Sequence, residues 1–342
     1  MNGAERGAPN APIHRLIAHW INLPSIFSTL RLATEDACWN GRWQAEIDGW
    51  NLIIDRRSDY NTAMHDIAHG PAFVMTHVMQ VRRVDDATFD PEHAKRILDD
   101  LRVCFSFVFG RSMAPALPVG YDPTGEVVWE EWTAPICDPA KQVDMGWLHP
   151  IHADDLIEFL RCALPTLADP AHRDSLRLQM ILAIQTVGTG LLEQRILTAF
   201  PALENLQRIT LVLGGQVTPK QYGNSNNWPG HKRLRRLLQQ ARIPCEIDPT
   251  ELPVLAAFAA AENHADGPAA VVNVRNKIVH PKRALGDIHR FDGLTVDAWL
   301  LTRHYLTLLI LHSVNYQGSF VRLLPPFGRA THSHRVPWVQ QP

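Results

Sequence analysis

Cysteine is scarce and unpatterned in this chain. The five residues Cys38, Cys104, Cys137, Cys162 and Cys245 are odd in number, and no two share the C-x-x-C spacing of a zinc or redox site. A disulfide framework is therefore excluded, and reduced thiols are expected. Phosphate-cradling glycine motifs are missing too. There is no G-x-x-x-x-G-K-[ST], no G-x-G-x-x-G and no G-x-S-x-G, so nucleotide-driven, dinucleotide-dependent and serine-hydrolase chemistry have no footing. Neither sign of charge dominates. Thirty-three Lys and Arg face 35 Asp and Glu, a net charge of -2. A broad basic surface for nucleic acid is absent, and any such contact must come from local patches. The longest apolar stretch, residues 298–311, contains Arg303 and His304, short of the roughly 18 uninterrupted apolar residues of a membrane span. The first dozen residues are small and polar, without the basic and apolar regions of a signal peptide. The expectation is a soluble, cytoplasmic protein without a membrane partner.

What is present is an ordinary globular composition, 46% hydrophobic and 20% charged, at a length that favours two domains. The halves differ in rhythm. Residues 43–54 and 72–81 carry β-branched and aromatic side chains and read as strands. Between them, residues 56–71 are rich in Asp, Asn, His and Gly and read as a loop. Asp90, Pro91 and Glu92 supply an N-cap, a first-turn proline and an early acid, so a helix is expected through Phe109 to a stop at Gly110. Ile97, Leu98, Leu101, Phe105 and Val108 would form its apolar face. Strands resume at 115–121 and 127–132 around the turn Asp122-Pro123-Thr124-Gly125. Trp39, Trp43, Trp50, Trp129 and Trp132 are expected in this domain's core.

After Pro150 a short helix is expected at 154–162, then a hinge at 163–173 containing two prolines. Apolar spacing of three and four begins at Leu176, a segment at 203–213 follows Pro201, and further helices are expected at 231–240, 252–262 and 295–316. The fold class is thus α+β: a β-rich α+β domain at 1–165, then a bundle of about five helices at 170–324. A proline-rich tail, 325–342, is expected to be loose or laid on a surface.

One segment carries chemistry: Val274-Arg275-Asn276-Lys277-Ile278-Val279-His280-Pro281. With 27 arginines and 17 histidines in 342 residues, an Arg five positions before a His is expected about once by chance. The chain has two, the other being Arg329 and His334 in the tail. Context distinguishes the first. Asn276 adds an amide beside the arginine, and Ile278 and Val279 are expected to anchor the segment on the core. Pro281 disfavours a helical backbone at His280. On an unbroken helix Arg275 and His280 would stand about 140° apart, so an interruption at His280, or two copies meeting, is needed to join them.

The Arg-Asn-x-x-x-His pattern resembles the signature of HEPN domains, small helical bundles that include ribonuclease toxins and CRISPR-associated nucleases. More narrowly, the chain resembles bacterial anti-phage proteins of the ApeA type, in which a variable N-terminal domain precedes a HEPN module. Residues 98–110, Trp129-Glu130-Glu131-Trp132, Ala202-Leu203-Glu204-Asn205-Leu206, 232–238 and 274–281 carry this likeness over most of residues 40–290. The resemblance implies a metal-independent endoribonuclease without cofactors, a homodimer with the site built across it, and an N-terminal domain that recognises a phage or host trigger. RNA brings its own nucleophile, the 2′-hydroxyl. A histidine, titrating near neutral pH, would move protons. An arginine would hold and stabilise the scissile phosphate. His280 and Arg275 are the candidates, with Asn276 orienting one of them and Glu204 falling where the family often keeps an acidic residue. The products would be a 2′,3′-cyclic phosphate and a 5′-hydroxyl. Lys232, Arg233, Arg236, Lys277, Lys282 and Arg283 are candidate contacts to the RNA backbone.

Blander readings share these residues. Arg275 would serve equally in an ion pair and His280 as a helix cap, and the basic residues from 231 to 236 fit a solvated helix face. A non-catalytic HEPN-like module that dimerises and binds a partner or nucleic acid has every feature above. His65-Asp66-Ile67-Ala68-His69 has the two-histidine spacing of zinc hydrolases, but Asp replaces the usual Glu and Gly70-Pro71 follows at once, so no metal site is assigned.

Overall fold

The structure, a computed structural model, describes residues 4–35, 38–69, 73–133, 136–138, 146–188, 190–281, 287–326 and 333–339. It forms two compact units, Met1–Asp169 and Pro170–Pro342. It is an α+β protein, with strands in the first unit and helices dominating the second.

The first unit is built on β1 (Ala4–Gly7), β2 (Arg15–Ile21), β3 (Leu30–Ala33), β4 (Cys38–Ile47), β5 (Trp50–Arg56), α1 (Tyr60–His69), β6 (Met75–Arg83), α2 (Pro91–Phe109), β7 (Pro115–Tyr121), β8 (Val127–Trp132) and α3 (Ala153–Ala168). Its strands make one eight-stranded antiparallel sheet in the order β1-β8-β7-β2-β6-β5-β4-β3. Alternation along β2 buries Leu16, Ala18 and Trp20, and along β5 it buries Trp50, Leu52 and Ile54, as expected of a sheet with one face on a core. Phe105 of α2 fills that face, its ring 5.0 Å from Trp20 and 6.3 Å from Trp43. Helix α2 begins at the Asp90 cap and stops at Gly110 in a left-handed conformation, as the sequence indicates.

Three local expectations are corrected. Residues 43–54 are not one strand, because Asp48 and Gly49 both take positive φ and turn β4 back onto β5, the geometry of a two-residue hairpin turn. The polar stretch 56–71 is not all loop: α1 forms within it, burying Tyr60 and Ala63. The hinge expected at 163–173 is mostly the end of α3, which runs through Pro165. Pro165 lacks the N–H that would bond the Arg161 carbonyl, and the burial of Leu164 and Leu167 beside it holds the helix together.

The second unit comprises α4 (Arg173–Gln185), α5 (Leu192–Gln207), a π-helical turn (Arg208–Leu213), α6 (Pro219–Gly223), α7 (Gly230–Gln240), α8 (Pro253–Ala261), α9 (Gly267–Val279), α10 (Leu294–Ser313) and the strand pair β9 (Ser319–Val321) and β10 (Ser333–Arg335). Helix α10 is its axis and packs against α4, α5, α7, α8 and α9. By length and composition it is apolar enough to cross a membrane, but 89% of its most apolar window is buried inside the protein. Its Asp297 accepts the N–H groups of Val254 and Leu255 at 2.9 and 3.1 Å. It thereby caps α8, whose own N-cap, Leu252, has no side-chain acceptor.

More helices form than the five expected. Pro201 does not separate two segments: α5 passes through it, with Phe200 and Ala202 buried on either side and the proline itself exposed, where a lost backbone bond costs least. The tail is not loose where it is described. Chain 333–335 returns to pair with β9, Val336 is buried, and Trp338 Nε1 donates to the Tyr316 carbonyl at 2.7 Å.

Each unit encloses a neutral histidine. Burial, with Arg56 nearby, lowers His77 to about 3. Burial, with Arg322 and Arg303 nearby, lowers His304 to about 3. For a group whose folded value is depressed in this way, protons favour the unfolded chain. The stability is intact above about pH 6.5 and declines as pH falls towards 3. Between pH 7 and pH 5 each histidine should withdraw about 2 kcal/mol. Urea unfolding at both pH values is expected to lose part of its acid sensitivity in His77→Phe and another part in His304→Phe; unchanged sensitivity in both variants contradicts the assignment.

Candidate functional site

Helix α9 exists because its two ends are well specified. Asp266 accepts the Ala269 N–H at 3.0 Å, and Pro268 occupies the first turn. Asp266-Gly267-Pro268 announces this helix start in the sequence, a local signal that apolar spacing alone does not show. Asp266 also receives Arg235 of α7 through two bonds, from Nε to Oδ2 and from Nη2 to Oδ1 at 2.9 Å. The carboxylate in turn holds the Arg235 guanidinium above the ordinary arginine value. Ala270, Val271 and Val274 then seat α9 in the core.

At the other end, the helix stops where Pro281 requires it to. His280 is the C-cap, with φ -128° and ψ 67°, and its N–H bonds the Asn276 carbonyl at 2.7 Å. The Asn276 side chain accepts from Arg275 Nη1 at 3.1 Å. One residue thus contacts both partners, the arginine through its amide and the histidine through its backbone. Arg275 Nη2 lies 4.0 Å from Glu204 Oε1 on α5, and its guanidinium carbon lies 5.7 Å from the centroid of the Phe200 ring. With side-chain exposures of 31% for Arg275 and 57% for Glu204, the pair is too open to contribute much stability, and its effect is to aim the guanidinium. Asn276 and His280 are exposed. The group is therefore reachable by a large anionic ligand, with an arginine, an amide and an imidazole at one helix end. The π-helical turn follows α5 just beyond Glu204, and such turns recur near functional sites.

The anchoring expected of Val279 is not found, since that side chain is 41% exposed. The core contact comes from Val274 and Val271 instead, about one and two turns earlier. Two of the candidate RNA contacts are committed elsewhere. Arg233 donates to the carbonyls of Trp228 and Tyr222, both at 2.7 Å, and lies 4.1 Å over the Tyr222 ring. Lys277 pairs with Glu262 at 3.2 Å and lies 5.8 Å from the Phe258 ring. These side chains brace the bundle. Lys232 and Arg236 are exposed on α7, while Leu234, Leu237 and Leu238 form its buried face. Lys282 and Arg283 lie outside the described residues. His65 and His69 lie on α1 rather than in a loop. Among the described residues no three His, Cys, Asp or Glu are grouped to hold a metal ion.

Comparison with known proteins gives two family matches. Residues 8–143 match the model described as the YopA central domain, and residues 169–333, which include the whole Arg275–His280 group, match the YopA C-terminal domain. The chain is 26% identical over 308 residues to the SPbeta prophage-derived uncharacterized protein YopA of Bacillus subtilis (strain 168). That alignment takes in 88% of this chain and 66% of the relative, so the chain spans about two thirds of its length. No solved structure matches the chain.

Asp266 fixes α9 twice, as cap and as ion-pair partner. Replacement by Ala should cost roughly 2–3 kcal/mol, and by Asn, which keeps the cap, about 1 kcal/mol. Urea unfolding followed by far-UV circular dichroism checks the difference; near-equal losses would show that the pairing with Arg235 adds little.

Proposed function

We propose that the chain is a metal-independent endoribonuclease of HEPN type whose chemistry is carried by Arg275 and His280. The supporting observation is their joint attachment to Asn276 at the exposed end of α9. His280 leaves helical geometry at the C-cap, as Pro281 favours, and neither side chain is sealed in the core.

In this reading Arg275 binds non-bridging oxygens of the scissile phosphate, with Asn276 and Glu204 limiting the directions its guanidinium takes. As the 2′-hydroxyl attacks phosphorus, negative charge grows on those oxygens, and a preorganised cation lowers the barrier. His280 takes the 2′-hydroxyl proton or delivers one to the departing 5′-oxygen. No redox step or external nucleophile is required. Lys232 and Arg236 supply local positive charge on a chain that has none overall. A homodimer, with a second copy completing the cleft, belongs to the same proposal. So does a role for the first unit in recognising a phage or host trigger, for which the exposed Met75 and Val78 of β6 offer apolar contact surface. The description of the Bacillus subtilis relative as prophage-derived supports a setting in phage–host conflict.

The purified chain, incubated with total RNA in excess EDTA, is expected to release fragments with 2′,3′-cyclic phosphate and 5′-hydroxyl ends. His280→Ala and Arg275→Ala should each lower the rate by about 10²-fold or more while leaving the melting temperature near that of the parent. Equal cleavage by parent and His280→Ala would remove the assignment. RNA bound but uncut by the parent would favour a non-catalytic binding module.

A further inference from the structure

Arg303 stands in the middle of α10 with 6% of its surface exposed. A guanidinium so placed normally meets a carboxylate, because its five donors and full charge are costly to desolvate. Here, among the described residues, no carboxylate, carbonyl or hydroxyl bonds it. Its contact is the Trp299 ring one turn earlier, with the centroid 5.8 Å from the guanidinium carbon. Arg195 of α5 lies 5.2 Å from the same centroid, and its Nε is buried without a hydrogen-bond partner. The ring itself is fixed, since Trp299 Nε1 donates to the Thr186 carbonyl at 2.8 Å.

Two cations therefore approach one buried aromatic ring, and among the described residues neither has an anionic partner. Burial lowers Arg303 to about 10, and the charge acting with it is Arg195, of the same sign. Arg195 belongs to the start of α5, whose N-cap, Leu191, offers no side-chain acceptor to the first-turn N–H groups. Those groups add partial positive charge at the same end. Glu193, in that first turn, pairs with neither guanidinium.

We propose that Arg195 and Arg303 bind a phosphate group at the uncapped start of α5. A tetrahedral oxyanion can accept from several charged and backbone donors at once. The depth of Arg303 suits a free or terminal phosphate rather than a phosphodiester inside a polymer. The site is separate from Arg275 and His280 and does not depend on the nuclease reading.

Thermal unfolding in inorganic phosphate against chloride, at equal ionic strength, tests it. At phosphate well above its Kd the parent should melt about 3 °C higher. Arg275→Ala should keep the shift, and Arg303→Met and Arg195→Met should lose it. If Arg303→Met fails to fold, the half-exposed Arg195→Met carries the comparison. A shift with inorganic phosphate alone identifies the free ion; a further shift with adenosine 5′-monophosphate identifies a terminal ester, and both uphold the site. No phosphate-specific shift in the parent, a shift retained in Arg195→Met, or a shift only with RNA lacking terminal phosphates overturns it.

Discussion

The ion pair between Arg235 and Asp266 is the constraint on which the candidate site depends. It ties α7 to the first turn of α9, and Asp266 is at once the acceptor for the guanidinium and the cap of the helix. A 13-residue helix at 1.5 Å per residue carries that restraint about 20 Å to the end where Arg275, Asn276 and His280 stand. Ala270, Val271 and Val274 hold the rotation of α9 about its axis. Were the first turn free to shift, the end carrying Arg275 would lose its register against Glu204.

The far end is defined by an opposite device, an enforced stop. Pro281 pushes His280 out of helical geometry, and Asn276 keeps it attached through the 2.7 Å backbone bond. Arg275 and His280 thus stand at the interrupted end of a helix whose start is fixed. The surrounding cations are not a uniform basic face. Arg233 and Lys277 are spent on carbonyls, a carboxylate and aromatic rings inside the bundle, while Lys232 and Arg236 remain exposed.

Much of this was legible wherever the signal was local. The limits of α2 follow from Asp90, Pro91 and Gly110, and β7 and β8 follow from alternation either side of an Asp-Pro-Thr-Gly turn. The interruption at His280 follows from Pro281. What escaped depended on partners distant in sequence. Pro165 and Pro201 read as breaks, yet buried leucine, alanine and phenylalanine neighbours carry α3 and α5 through them. The polarity of α1 concealed a helix whose buried side includes Tyr60 and Ala63. Arg233 and Arg235 look alike in a basic run; only the fold assigns one to the carbonyls of Tyr222 and Trp228 and the other to Asp266. Arg303 was legible only as an interruption in an apolar stretch, and its isolation emerges from the absence of any carboxylate around it among the described residues.

In the proposed mechanism RNA supplies the nucleophile, and the protein supplies only proton transfer and charge stabilisation at Arg275 and His280. The most direct measurement compares an RNA oligonucleotide that the chain cuts with the same oligonucleotide carrying a single 2′-deoxy substitution on the 5′ side of the scissile phosphate. Cleavage at that position should disappear while neighbouring positions are cut as before. Cleavage persisting at the substituted position would contradict it.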